Sequence, residues 1–246
     1  MVRLPRTVER LLDAVAGSCR LHPVVVTRLD DACGRLRRGD VAAVLVGEGA
    51  ENAGSGVARG RDRALAACRE LRAVRADVPL IAVTTAVQED ELIGSLELGA
   101  DDCLRLPLAP DEIAARLMAT LRRFHASRPA PARAIVAGGL ALDPKTRRAH
   151  RAGRVVTLTG TEFELLAALA AQPGRTLSRE RLLNDLCGFE YEIDSRVIDV
   201  HVRNLRCKVE AEPSAPALIR SVPGVGYCFG GQERSEERSE DRSEDR

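Results

Sequence analysis

Aromatic residues make up only 2% of this 246-residue chain: two Tyr, four Phe and no Trp. Any core must therefore be built from Leu, Val, Ala and Ile, which the 45% hydrophobic content permits. Lysine stands only at positions 145 and 208, so all but two of the 37 basic residues are Arg. No run of 18 apolar residues occurs, so no membrane span is expected. The N-terminus lacks the basic-then-apolar layout of a secretory signal, which points to a cytoplasmic protein. Seven cysteines is an odd number, and no pair has C-x-x-C spacing. Neither a disulfide framework nor a zinc site is expected, and no cofactor is implied. No Cys sits with His and Asp in a nucleophile pattern, so an enzyme is not expected.

Charge is balanced overall but unevenly spread. Residues 133–230 carry 14 Lys/Arg against 11 Asp/Glu, while residues 231–246 carry 4 against 7. The basic excess is modest and lies in the C-terminal half, where a polyanionic partner would be met.

The stretch Asp194 to Val209 organises that half. Ser195 suits an N-cap, and Val197, Ile198, Val202, Leu205 and Val209 recur at helical spacing as a buried stripe. Arg196, Arg203, Asn204, Arg206 and Lys208 lie off the stripe. A cationic, amide-bearing helix face suits the DNA major groove, where Arg reads guanine, Asn reads adenine and any cation can hold phosphate. The bland alternative is an ordinary solvated basic face. After a Pro-containing loop, Leu218 to Val222 and Val225 to Phe229 flank a Pro-Gly turn, the signature of a β-hairpin.

Helix, loop and hairpin ending Gly224-Val225-Gly226-Tyr227-Cys228-Phe229 resemble the recognition helix and wing of OmpR/PhoB-family winged-helix response regulators. Val200-His201-Val202-Arg203-Asn204-Leu205-Arg206 is similar to that family's "DVHIxxLR", and Val222-Pro223-Gly224-Val225-Gly226-Tyr227 to its "VRGxGY". Upstream, Thr159 to Leu166 resembles "LTxxEFxLL", with Thr159 and Glu162 as a helix start, and Ser178 caps a second helix that runs on to Leu183. Short strands at 140–143, 147–150 and 155–158 resemble the small antiparallel sheet that opens this domain. The resemblance implies double-stranded DNA as the partner, read as direct repeats by a homodimer. The implied base readers are Arg203, Asn204 and Arg206. Arg196, His201 and Lys208 would hold phosphates, and Arg220 and Ser221 would contact DNA from the wing. Pro223 replaces the usual wing Arg, for which Arg220 would compensate, and Cys207 replaces a common basic residue. Glu190, Tyr191 and Glu192, in the loop 188–194, are candidate contacts to RNA polymerase.

The N-terminal half alternates strands and helices. Expected helices are Thr7–Cys19, Asp30–Arg38, Arg61–Arg75, Glu89–Leu98 and Ala109–Arg123. Expected strands lie at 21–27, 41–46, 79–84 and 103–106, with a Gly-rich loop over 47–60. This is the pattern of a doubly wound α/β domain of flavodoxin-like type. Gly99-Ala100-Asp101-Asp102-Cys103-Leu104-Arg105-Leu106-Pro107 resembles the receiver motif "GADDYLxKP".

A receiver performs aspartyl phosphorylation, which takes an Asp nucleophile, an acid pair for Mg²⁺, a hydroxyl and a Lys. Here the nucleophile position is Leu45 or Val46 and the Lys position is Leu106; of the set, only the hydroxyl of Thr84 is kept. The acid pair is missing near Arg3 to Pro5, where the first strand is short or the start codon lies upstream. The expectation is a degenerate receiver, with neither phosphorylation nor a metal, which argues against a cognate histidine kinase. Alternatives are phosphorylation at a non-standard acid, or a small ligand bound in the pseudo-receiver. The resemblance further implies dimerisation through Asp102, Glu112 and Arg116, with Leu92 making that face more apolar. The expected domains are a receiver over 1–125, a linker over 126–134, an α+β winged helix-turn-helix over 135–230 and a charged, disordered tail over 231–246.

Overall fold

The computed structural model describes residues 21–47, 57–84, 89–125, 135–187 and 196–230. Its elements are α1 (Leu29–Arg38), β1 (Val44–Gly47), α2 (Val57–Val74), β2 (Leu80–Thr84), α3 (Glu89–Glu97), β3 (Asp102–Arg105) and α4 (Pro110–His125). These are followed by β4 (Ile135–Ala137), β5 (Leu140–Asp143), β6 (Arg148–Arg151), β7 (Arg154–Val156), α5 (Gly160–Ala170) and β8 (Thr176–Ser178). Last come α6 (Arg179–Cys187), α7 (Arg196–Val209), β9 (Ile219–Val222) and β10 (Gly226–Phe229).

The first seven elements form an α/β unit. Strands β1, β2 and β3 pair in parallel in that order, with Leu45 beside Ile81 and Val83 beside Leu104. Parallel strands covered by helices on both faces need continuous apolar runs, and this explains Leu-Ile-Ala-Val in β2. One core layer gathers Leu36, Cys68, Leu71, Leu80 and Leu96; the other gathers Ile81, Leu104, Ile113, Leu117 and Leu121. Helix α1 ends on Gly39 at φ +81°, where its N–H reaches the Leu36 carbonyl; acids in its first turn and arginines in its last suit the helix dipole. Arg72 staples α2 to the turn before β3, donating to the Gly99, Ala76 and Val78 carbonyls and to Asp101.

Two expectations are corrected here. Residues 21–27 form no strand, and Val24, Val25 and Val26 are 55%, 47% and 38% exposed. A strand needs a hydrogen-bonded neighbour, and among the described residues β1 pairs only with β2. Helix α2 begins at Val57, inside the stretch expected to be loop, so its Gly and polar residues do not keep the chain from coiling there.

The C-terminal unit has a four-stranded antiparallel sheet, β4-β5-β6-β7, and a three-stranded sheet, β8-β10-β9. Strand β8 was not expected: Thr176, Leu177 and Ser178 pair with Cys228, Tyr227 and Gly226 before α6 begins. Helix α5 starts on a complete capping box. The Glu162 N–H donates to Thr159 Oγ1 at 3.2 Å, and the Thr159 N–H donates to Glu162 Oε2 at 2.7 Å. Ser178 Oγ accepts from the Arg181 N–H at 3.1 Å, the expected cap of α6. Leu165, Leu166, Leu169, Leu182, Ile198, Val202, Leu205 and Phe229 make the shared core. Several expectations lie outside the described residues: the strand near Arg3, the helix Thr7–Cys19, the linker 126–134, the polymerase loop, the Ser195 cap and the tail.

Candidate nucleic-acid interface

Helix α7 turns 100° per residue. Ile198, Val202, Leu205 and Val209 therefore fall on one line, and all four are fully buried in the C-terminal core. Val197, expected on this stripe, points elsewhere: with Val200 it joins the core layer of the α/β unit that includes Ile93, Leu96 and Ala100. The face opposite the stripe carries Arg196, Val197, Val200, Arg203, Asn204 and Cys207.

The cations divide into three groups. Arg203 forms an ion pair with Glu97 of α3, and Asn204 Nδ2 donates to the Leu96 carbonyl at 3.0 Å. Arg206 reaches the hairpin, with Nε and Nη2 donating to the Ile219 carbonyl at 2.9 and 2.6 Å and Nη2 donating to Ser221 Oγ at 3.0 Å. Lys208 Nζ donates to both carboxylate oxygens of buried Glu162, at 2.8 and 2.6 Å. Lys208 thus neutralises the acid of the α5 capping box. His201 is 3% exposed and sits in the interior rather than at a phosphate-accessible edge. Arg196 and Arg220 are exposed. Side-chain geometry therefore separates Arg206, Lys208 and His201 from the group expected to face DNA.

One cluster was not foreseen from the sequence. Tyr227 of β10 is 4% exposed and lies between two guanidiniums, Arg179 at 5.1 Å and Arg206 at 5.5 Å from its ring centre. Its hydroxyl donates to Asp199 Oδ1 at 2.6 Å, which also accepts from Arg179 Nε at 2.7 Å. Burial, helped by the Asp199 contact, pushes the Tyr227 phenol up to about 12, and the hydrogen bond to Asp199 raises Arg179 as well. The signal was the Tyr of the Gly-x-Gly-Tyr motif, which reads as a wing residue until its partners on α6 and α7 are known. Gly226 has a comparable role, because a Cβ there would lie 2.1 Å from the Leu177 carbonyl oxygen. Glu210, just past α7, accepts from the Ala217, Leu218 and Ile219 N–H groups and aims the chain into β9. The hairpin tip, Pro223 to Val225, is exposed, with Gly224 at φ +72°.

In the α/β unit, Leu45 and Leu106 pack against the layer of Ile81 and Leu104. Arg116 Nη2 pairs with Glu112 Oε1 at 3.1 Å along α4, and Asp102 Oδ1 accepts from the Cys103 N–H at 2.8 Å. Of the expected dimer group, the Leu92 side chain lies outside the described residues. Burial pushes the Cys103 thiol up to about 12 and Cys68 up to about 11, so neither is a thiolate at neutral pH. Among the described residues, no group of three His, Cys, Asp or Glu is placed to hold a metal, and no helix is long and apolar enough to cross a membrane.

A trihelical core with α7 displayed in front of a β-hairpin, preceded by a small sheet and an α/β unit, defines a two-domain winged-helix regulator. Residues 153–229 match the family described as "Transcriptional regulatory protein, C terminal". Response regulator MprA of Mycobacterium tuberculosis (strain ATCC 25618 / H37Rv) is 40% identical over 163 residues, covering 66% of this chain and 70% of that protein. MprA of Mycobacterium ulcerans (strain Agy99) is 41% identical over 165 residues, covering 66% and 71%. A mutant of RitR has the same overall fold, with a TM-score of 0.64 at 21% identity over 93% of this chain and 96% of that one. The chain belongs to the OmpR/PhoB family of response regulators, DNA-binding regulators of transcription.

Proposed function

We propose that this chain is a sequence-specific regulator that reads direct repeats in double-stranded DNA as a homodimer and acts in the cytoplasm without aspartyl phosphorylation. It is a binding protein rather than an enzyme. The proposed division is a receiver over 1–125, a linker over 126–134, a winged helix over 135–230 and a tail over 231–246. The observation that carries the DNA reading is the face of α7 turned away from the C-terminal core. There Arg196, Arg203 and Asn204 stand together, while the opposite stripe is locked in the core and Tyr227 clamps the hairpin alongside.

Arg203 and Asn204 are the proposed base readers, because a guanidinium and an amide each offer paired hydrogen bonds to purine edges. Arg196 and, from the hairpin, Arg220 are the proposed phosphate contacts. Arg206, Ser221, Lys208 and His201 are reassigned to building the domain, since their partners are Ile219, Arg206, Glu162 and the interior. Independence from phosphorylation is supported by the leucines at 45 and 106 and makes a cognate kinase unnecessary. Asp102, Glu112, Arg116 and Leu92 remain the proposed dimer contacts, and Glu190, Tyr191 and Glu192 the proposed polymerase contacts.

The test is selection of bound genomic fragments by the unphosphorylated full-length protein, repeated with Arg203→Ala and Asn204→Ala. A tandem-repeat site is expected, with about 1–3 kcal/mol lost at one base position in each variant. Unchanged affinity and base preference in both variants would refute the assignment of α7.

A further inference from the structure

The last strand of the fold delivers the chain to a guanidinium. Strand β10 ends at Phe229, whose carbonyl accepts from the Gly174 N–H at 2.9 Å, and the Gly230 N–H donates to the Leu218 carbonyl at 2.7 Å. A Cβ on Gly230 would stand 2.5 Å from Arg220 Nε and 2.9 Å from its Nη2. Glycine alone lets the backbone pass this close, so the chain leaves the domain against the Arg220 head group. On the β8 side of the exit stands exposed Arg175, which donates to the neutral amide oxygen of Gln172 at 2.9 Å.

These two cations are unopposed. Arg220 is the one charged residue between Glu212 and Glu233, and among the described residues no carboxylate pairs with it. The acids of the winged-helix unit are committed elsewhere: Glu162 to Lys208, Glu164 to Arg147, Asp199 to Arg179, and Glu210 to the N–H groups that lead into β9. Exposed cations without a counter-charge attract an anion. The sequence supplies one directly. Residues 231–246 carry 7 Asp/Glu against 4 Arg. Six of those acids come as doublets, Glu236-Glu237, Glu240-Asp241 and Glu244-Asp245, so the same anionic unit recurs every four residues. The first doublet begins six residues past Gly230, a span of up to about 20 Å, enough for the chain to turn back on the exit. The tether makes the encounter intramolecular, and three equivalent doublets compete for one pair of arginines.

We propose that residues 233–246 form a polyanionic strap that folds back on the wing of its own chain and sets acid doublets on Arg220 and Arg175, where they compete with DNA phosphate. The proposal rests on the reading of Arg220 as a phosphate contact. The apparent affinity for DNA falls by the fraction of wings left open. A threefold effect corresponds to about 0.7 kcal/mol, which one or two exposed charge pairs supply.

Four full-length proteins form a cycle that tests this. They are wild type, a neutral-tail variant (Glu236→Gln, Glu237→Gln, Glu240→Gln, Asp241→Asn, Glu244→Gln and Asp245→Asn), the double variant Arg175→Gln with Arg220→Gln, and the combination. Affinity for the selected duplex at low salt is read by fluorescence anisotropy; where selection yields no site, the probe is a 30-base-pair mixed-sequence duplex. Amide resonances of Arg175, Arg220 and Gly230 are compared in the free wild-type and neutral-tail proteins. The neutral tail is expected to shift those resonances and to tighten binding about threefold, and most of that gain is expected to be lost where both arginines are replaced. An equal gain in both backgrounds would mean that net charge alone acts and would overturn the proposal, as would unchanged resonances. Shifts that grow with protein concentration would seat the tail on a second copy and overturn it too. Absence of duplex binding by all four proteins, with the resonance shifts present, would instead overturn the DNA reading on which it rests.

Discussion

Lys208 offers a sharp test of how the C-terminal unit is built. Lys208→Met keeps the stem of the side chain and removes the ammonium, leaving Glu162 without the cation that contacts both its oxygens. The Glu162 side chain is 3% exposed and that of Lys208 is 35% exposed. Breaking a fully buried pair costs about 3–5 kcal/mol. Here water reaches the lysine, and the Thr159 N–H still donates to Glu162 at 2.7 Å, so the cost reduces to about 1–2 kcal/mol. For a unit of this size that lowers the melting transition by about 5–12 °C. Thermal unfolding followed by circular dichroism measures it. A second substitution, Glu162→Gln, removes the stranded charge and is expected to recover most of the loss in the Lys208→Met background.

The DNA arm of the experiment separates the two roles proposed for this residue. If Lys208 held a phosphate, its loss would reduce the slope of log affinity against log salt by about one. If it serves Glu162, the slope is unchanged below the melting transition. Wild-type stability together with a reduced slope would refute the reasoning and return Lys208 to the interface.

Tyr227 makes stability depend on high pH. Its phenol titrates near 12 in the folded chain against an ordinary value of 10. The folded state therefore keeps a proton that the unfolded state gives up, and the stabilisation present below pH 10 is lost as pH rises towards 12. Urea midpoints at pH 9 and pH 11 are expected to fall for wild type and to fall less for Tyr227→Phe, which itself costs about 1 kcal/mol at neutral pH; equal slopes would mean that burial and the Asp199 contact do not hold the Tyr227 phenol up. Gly226→Ala drives a methyl into the Leu177 carbonyl oxygen, and a loss above about 2 kcal/mol is expected, with amide exchange faster in β8 and β10; an unperturbed midpoint would mean that the hairpin register is wrong.

The two units are joined more closely than two beads on a linker. Val197 and Val200 pack into the N-terminal core, and the Phe124 ring lies against Gly160 at the start of α5. Variants made to probe DNA reading at Arg203 or Asn204 therefore change two equilibria at once, closure and binding, and their effects need scattering data beside them to be interpreted.

Much of the fold followed from local rules in the sequence. The 3.6-residue recurrence of Ile198, Val202, Leu205 and Val209 determined α7 and the side it buries in the C-terminal core, whereas Val197 and Val200 pack into the other unit. The Thr159–Glu162 and Ser178 caps determined where α5 and α6 begin, since those hydrogen bonds close within three residues. Partners distant in sequence were decided by tertiary structure alone. Lys208 and Glu162 are 46 residues apart, and Arg203 and Glu97 are 106 apart. Nothing local distinguishes a cation bound for phosphate from one bound for a carboxylate on another helix. The face of α7 was written in its own residues; whether that face meets DNA or the end of α3 depends on which of two distant surfaces packs against it.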